Sequence, residues 1–258
     1  VPQVLSGMNA TEARDPEETG ASVVVVDYGL GNLRSVTRGL ERAGATVTVS
    51  DDPETFASAD GVVLPGVGAF REGVENAGPY RAALLDAADR GTPVFGICLG
   101  MQMLLTTSEE AERTADSSDG HASDADASES ASDGAGGHAG ERAGGHAGDV
   151  RGLDLIPGTN VRFADGQKVP HMGWNELDVK RDHPLVDGVD GEYAYFVHSY
   201  YAVPDDPEAV VATSDYGTAF PAVVANDEGT VFGTQFHPEK SGETGLRLLR
   251  NFVDICTA

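Results

Sequence analysis

The feature that most restricts the fold is an alternation within residues 22–107. Short apolar runs, "SVVVVDYG", "TVTVS", "GVVLPG" and "TPVFGI", are separated by stretches of helical spacing such as "NLRSVTRGLERAG" and "YRAALLDAADRG". A strand that is apolar along its whole length must be covered on both faces, and parallel strands between layers of helices meet that need. The pattern predicts an α/β fold: a central, mostly parallel sheet flanked by helices.

From about residue 150 the pattern resumes as shorter strand-like runs, "WNELDV", "AYFVHSYYAV", "AVVATS", "PAVVAND" and "TVFGTQF", and closes on a helical stretch, "GETGLRLLRNFVDIC". Between the halves, residues 108–149 are rich in Ala, Gly, Ser and Asp and nearly lack large apolar side chains. Such a segment cannot bury enough surface to offset its ordering entropy, so it reads as a disordered acidic insertion. Neither flank is complete alone, and residues 21–258 therefore read as one interrupted domain. Residues 1–20 lack the basic start and long apolar stretch of a secretory signal and read as a disordered extension, with Met8 as an alternative start. His121, His138 and His146 of the insertion match no compact ligand spacing, so no metal is expected.

Forty-two acidic residues against 17 basic ones give a formal net charge of −25, and lysine occurs only at Lys168, Lys180 and Lys240. That balance argues against nucleic acid or an anionic membrane as partner. The carboxylates are spread along the chain, as in proteins of salt-loving organisms, where salt screens the self-repulsion; stability that rises with salt is the expected consequence. Two cysteines, Cys98 and Cys256, make no disulfide framework and fit a reducing cytoplasm. No apolar run approaches the length of a membrane span.

One of those cysteines sits in "GICLG", a G-x-C-x-G turn between a buried strand and a helix beginning near Leu99. This is the nucleophile-elbow arrangement with sulfur in place of the hydroxyl. Gly96 and Gly100 leave room for a sharp turn, the helix N-terminus favours negative charge at the sulfur, and the Leu99 N–H is placed to meet an oxyanion. A nucleophilic thiol needs a base, and "GTQFHPEK" offers His237 with Glu239 two residues on. In extended chain the two side chains leave the same face, so the carboxylate can orient the imidazole as the third member of a triad. The glycine-rich turns "DYGLGNLRSV" and "LPGVGAFREG" are not dinucleotide fingerprints, because Arg34 and Arg71 stand where glycine is required. "PGVG" instead supplies a second backbone N–H facing the elbow.

"GICLGMQ" with "HPEK" resembles the class I, triad-type glutamine amidotransferases, which implies a flavodoxin-like architecture carrying the elbow. With "DYGLGN", "LPGVGAF", "VPHMGWN", "YFVHSY" and "QFHPEKS", the likeness is to those members that feed ammonia to a cyclase subunit. Those enzymes make imidazole glycerol phosphate and aminoimidazole carboxamide ribotide in histidine biosynthesis. The resemblance covers about residues 22–107 and 150–256 and omits the extension and the insertion. It implies Cys98 as nucleophile, His237 as proton relay and Glu239 as its orienting partner. Gln102, Ser199 and Tyr200 would contact glutamine, while Val67 and Gly68 would form an oxyanion strand beside Leu99. In this family that strand is thought to turn its N–H inward only when the partner is loaded. Trp174, Tyr195 and Lys240 match positions facing a (β/α)8-barrel cyclase in a heterodimer, and no cofactor is implied. Two alternatives remain open: a triad glutaminase serving anthranilate, GMP or pyridoxal phosphate synthesis, and a stand-alone cysteine hydrolase.

Overall fold

The computed structural model describes residues 20–111, 150–164 and 166–258. The strands are β1 (Ser22–Val26), β2 (Thr46–Ser50), β3 (Gly61–Gly66), β4 (Val94–Cys98), β5 (Thr107–Ser108), β6 (Gly158–Arg162) and β7 (His171–Glu176). They continue with β8 (Asp178–Val179), β9 (Tyr193–His198), β10 (Tyr200–Pro204), β11 (Val210–Asp215), β12 (Ala219–Ala225) and β13 (Val231–Thr234). The flanking α-helices are α1 (Leu33–Ala43), α2 (Phe70–Ala77), α3 (Arg81–Asp89), α4 (Leu99–Leu104) and α5 (Gly242–Thr257).

An eight-stranded sheet runs in the order β2-β1-β3-β4-β13-β12-β11-β8. Its first five strands pair in parallel, and β12, β11 and β8 extend it antiparallel. This is the expected mostly parallel sheet. β13, from beyond the expected insertion, lies directly on β4, with Thr234 opposite Ile97, so strands from both sides of it share this sheet. Alternation along β1 divides the core. Val23 and Val25 point to the side of Leu40 from α1 and Phe252 from α5, whereas Val24 and Val26 point to the side of Phe70 from α2 and Leu84 from α3. Each of these side chains is at least 97% buried, so removing one from water contributes about 1.5–3 kcal/mol before cavity costs.

Two smaller sheets stand beside the large one, β10-β6-β5 and β7-β9. They correct two readings of the sequence. "AYFVHSYYAV" is two strands: β9 pairs with β7, β10 pairs with β6, and the chain changes sheets at Ser199. "WNELDV" likewise divides at Leu177, which is fully buried. Continuous strand propensity conceals such a change of partner, because it shows that a stretch is extended but not which strand it pairs with.

The boundaries also shift. Ser108 is 1% exposed, Ala111 is 3% exposed, and the Glu109 carboxylate accepts from the Arg162 N–H at 2.9 Å, so residues 108–111 belong to the fold rather than to the insertion. Residues 112–149, with His121, His138 and His146, and residues 1–19, with Met8, lie outside the described residues. Gly20 packs so closely on Gly44 that a Cβ there would come within 2.2 Å of the Gly44 carbonyl oxygen. No helix among the described residues is long and apolar enough to cross a membrane.

Candidate active site

Cys98 ends β4 and adopts φ 55° and ψ −108°, a left-handed conformation that costs a side-chain-bearing residue about 1–3 kcal/mol. The neighbouring glycines are required by close packing. A Cβ on Gly100 would fall 1.8 Å from the Leu64 carbonyl oxygen of β3, and one on Gly96 would fall 2.6 Å from the Met101 nitrogen. The strand and the start of α4 are therefore pressed together in a way that only glycine permits, which holds the cysteine in its strained turn. Cys98 is 7% exposed, and its exposed part opens on a cavity of about 280 Å³.

His237 and Glu239 meet as expected but by another route. His237 is extended, yet Pro238–Lys240 form a single 3-10 turn rather than continuing the strand. Proline at the first position of the turn has the φ it needs and gives up no required N–H. The turn brings Glu239 Oε1 to 3.0 Å from His237 Nδ1, with the two side chains 1% and 4% exposed. It is stitched to β9: the His237 N–H donates to the Tyr195 carbonyl at 3.0 Å, the Tyr195 N–H to Ser241 Oγ at 2.9 Å, and Ser241 Oγ to the His237 carbonyl at 2.7 Å. Burial alone would lower the His237 pKa. Hydrogen bonds to Cys98 and Glu239, with their negative charges, outweigh burial and raise it from 6.5 to about 9. The imidazole therefore joins sulfur to carboxylate and holds a proton at neutral pH.

The cavity gathers nearly every residue singled out in the sequence. Val67, Gly68 and Leu99 line it beside the sulfur, Gln102 rises from α4, and Ser199 and Tyr200 come from the β9–β10 break. Gly68 has φ 108°. Tyr28 OH donates to the Pro65 carbonyl at 2.5 Å and anchors the approach to the Val67–Gly68 peptide. Lys240, exposed, also lines the cavity.

Trp174 and Tyr195 do not line it. They face each other across β7 and β9 with ring centroids 5.7 Å apart. Strand alternation puts Met172, Trp174 and Tyr193 on the outward face of this pair, 63%, 53% and 53% exposed. Val197, also on that face, lines the cavity, so the apolar surface reaches the site.

Several site groups escaped the sequence reading. Gln235 places Nε2 3.8 Å from Cys98 Sγ. His198 lines the cavity, and its Nδ1 lies 2.9 Å from the Tyr200 carbonyl while its Nε2 lies 3.0 Å from His171 Nδ1. Glu110 lines the cavity and accepts from the Phe70 N–H at 2.7 Å; its acidic, low-complexity surroundings concealed it. A glutamine directly after an apolar strand, between Thr234 and Phe236, was the available signal for Gln235.

The family "Glutamine amidotransferase class-I" matches residues 24–256. The imidazole glycerol phosphate synthase subunit HisH of Natronomonas pharaonis is 65% identical over 242 residues, covering 94% of this chain and 98% of that one. The protein of the same description from Methanosarcina acetivorans is 44% identical over 236 residues, covering 91% and 98%. Among solved structures, one described as a glutamine amidotransferase superposes with a TM-score of 0.62 at 18% identity, covering 91% of this chain and 99% of that one. PurLQS from Thermotoga maritima superposes with a TM-score of 0.61 at 18% identity, covering 91% and 98%. At that identity the likeness establishes the fold. Sequence identity goes further: the chain belongs to the class I glutamine amidotransferases, among the HisH subunits of imidazole glycerol phosphate synthase.

Proposed function

We propose that the chain hydrolyses glutamine to glutamate and ammonia at Cys98 and delivers the ammonia to a cyclase subunit in histidine biosynthesis, where imidazole glycerol phosphate and aminoimidazole carboxamide ribotide are made. The observation that carries this reading is the buried His237 imidazole, set between the Cys98 sulfur and the Glu239 carboxylate, whose Oε1 lies 3.0 Å from its Nδ1. Sγ attacks the side-chain amide carbon of glutamine. The oxyanion that develops meets the Leu99 N–H and an N–H from the Val67–Gly68 peptide. His237 gives its proton to the departing nitrogen, leaving a thioester, and then takes a proton from the water that releases glutamate. Glu239 keeps Nδ1 engaged, so the other ring nitrogen serves the reaction. Gln102, Ser199 and Tyr200 hold the substrate.

Ammonia released to bulk water is protonated and no longer a nucleophile, so the two sites must be docked. The outward face of Met172, Trp174 and Tyr193 suits a barrel-type cyclase, with Lys240 beside the cavity as the cationic contact. Exposed apolar groups contiguous with an active site fit a partner interface. The test is glutamine- and ammonia-dependent synthesis by the complex with Cys98→Ser. Glutamine-dependent activity should fall by about 10³-fold or more while ammonia-dependent activity persists. Equal loss of both contradicts the division of labour. A full glutaminase rate from the isolated chain would favour a stand-alone hydrolase.

A further inference from the structure

Gln235 follows β13 and is completely buried. Its backbone N–H is already spent on the Ala222 carbonyl at 2.9 Å, so the strand makes no demand on its side chain. A buried amide left without partners is destabilising, and a leucine of similar size would avoid that cost. Both ends of this amide are turned to the active site.

Its direction follows from the hydrogen bonds around it. The Tyr200 carbonyl can only accept, so the group facing it at 2.9 Å must be the NH₂ of Gln102. The second hydrogen of that NH₂ meets Gln235 Oε1 at 3.3 Å. Turning Gln235 over would set two NH₂ groups against each other. The Gln235 Nε2 therefore faces outward, and it lies 3.8 Å from Cys98 Sγ. With both hydrogens of Gln102 used, its oxygen is the end left for the cavity.

The sulfur has a second near neighbour of opposite polarity. The Val197 carbonyl, also at 3.8 Å, accepts from a thiol and repels a thiolate. The amide of Gln235 does the reverse. It carries no charge, so it remains a donor at every pH. A contact of this length is weak to a neutral thiol and strengthens as charge builds on the sulfur.

We propose that Gln235 is a further catalytic residue, whose amide N–H supports negative charge on the Cys98 sulfur while its oxygen fixes Gln102 with an acceptor towards the substrate. The inference rests on Cys98 as the nucleophile. It predicts that losing the donor shifts the ionisation of the sulfur, an effect that a purely packing role would not produce.

The experiment follows carboxamidomethylation of Cys98 by iodoacetamide against pH, site by site, in the complex with the cyclase. Wild type, Gln235→Leu and Gln235→Glu are compared, with glutaminase kcat and KM measured in parallel. Cys256 does not interfere, because burial and Asp60 push its thiol up to about 12. Gln235→Leu should raise the pH of half-maximal reactivity by about one unit and lower kcat at least about tenfold. Gln235→Glu, which sets a like charge beside the sulfur, should shift it further. It also stands in should Gln235→Leu fail to co-elute with the cyclase. Profiles that overlay the wild type overturn the proposal, even where kcat falls. Loss of activity with no label on Cys98 would instead overturn the nucleophile assignment, which separates the two failures.

Discussion

Two histidines border the same cavity, both buried, and hold their protons in opposite senses. His237 is raised to about 9, whereas His198 is lowered to about 3. Burial opposes the charged form in both and is the largest influence on each. Hydrogen-bond length does not separate them, since each has a ring nitrogen 2.9–3.0 Å from an oxygen acceptor. Partner charge does. His237 faces a carboxylate and the sulfur, whereas His198 faces the Tyr200 carbonyl and has His171 and His237 as like-charged neighbours. A buried imidazole becomes a proton store only where a counter-charge is buried with it.

The most severe way to break this contrast is to remove the counter-charge while keeping its shape. Glu239→Gln should cut glutaminase kcat by about 10³–10⁴-fold, by analogy with the loss of the carboxylate in a serine triad. The His237 resonance should then titrate below 6.5 instead of near 9 in a pH series by NMR. A value that stays near 9 would mean that the sulfur alone sets it. The same pair links stability to pH. Because the folded-state pKa is raised, its stabilising contribution is complete below 6.5 and fades as pH rises through about 9. The difference in urea midpoint between wild type and Glu239→Gln should narrow over that window.

His198 gives the opposite slope. Its folded-state pKa is lowered, so the unfolded chain binds more protons below 6.5, and stability is lost as pH falls towards 3. The loss at pH 5 is about 2 kcal/mol from this ring. In His198→Leu, the fall in urea-derived stability between pH 6.5 and 5 should flatten by about 1.6 kcal/mol, since part of the loss has already occurred at 6.5; an unchanged slope would place the ring's proton elsewhere.

Trp174 sharpens the comparison from outside. It lies on the outward face of the strand pair whose inward face carries His171 and His198. Trp174→Ala should weaken cyclase binding by about 2 kcal/mol, roughly 30-fold, in a titration of the complex, while leaving the His198 titration unmoved. The smallest effect is expected from deleting 112–149, which should leave the melting temperature and glutaminase coupling near wild type. A deletion that starts at Glu110 should lose activity, because that carboxylate lines the cavity.

The fold and the meeting of Cys98, His237 and Glu239 were legible because their signals are local. Apolar runs alternating with helices state the sheet, two glycines around Cys98 state the elbow, and His237 and Glu239 are two residues apart. Even there the sequence supported the right contact through the wrong backbone, a turn in place of a strand. The remainder depends on pairing across long separations. His171 reaches His198 only because β7 and β9 are in that register, and Gln102 reaches Gln235 across 133 residues. Neither relation leaves a spacing to read. The strand break at Ser199 was hidden because the residues on both sides have the same strand propensity and differ only in the strand they pair with.

The junction around residues 106–111 and 150–162 has a practical consequence. The Gly152 N–H donates to the Thr106 carbonyl at 2.9 Å, Arg81 donates to the carbonyls of Gly152 and Leu153, and Asn160 donates to the Thr107 carbonyl at 3.0 Å. Residues 106–107 and 152–160 are thus fastened to each other directly, so this closure asks nothing of residues 112–149. A fluorescent reporter grafted after Ala111 would be anchored one residue from a carboxylate that borders the Cys98 cavity.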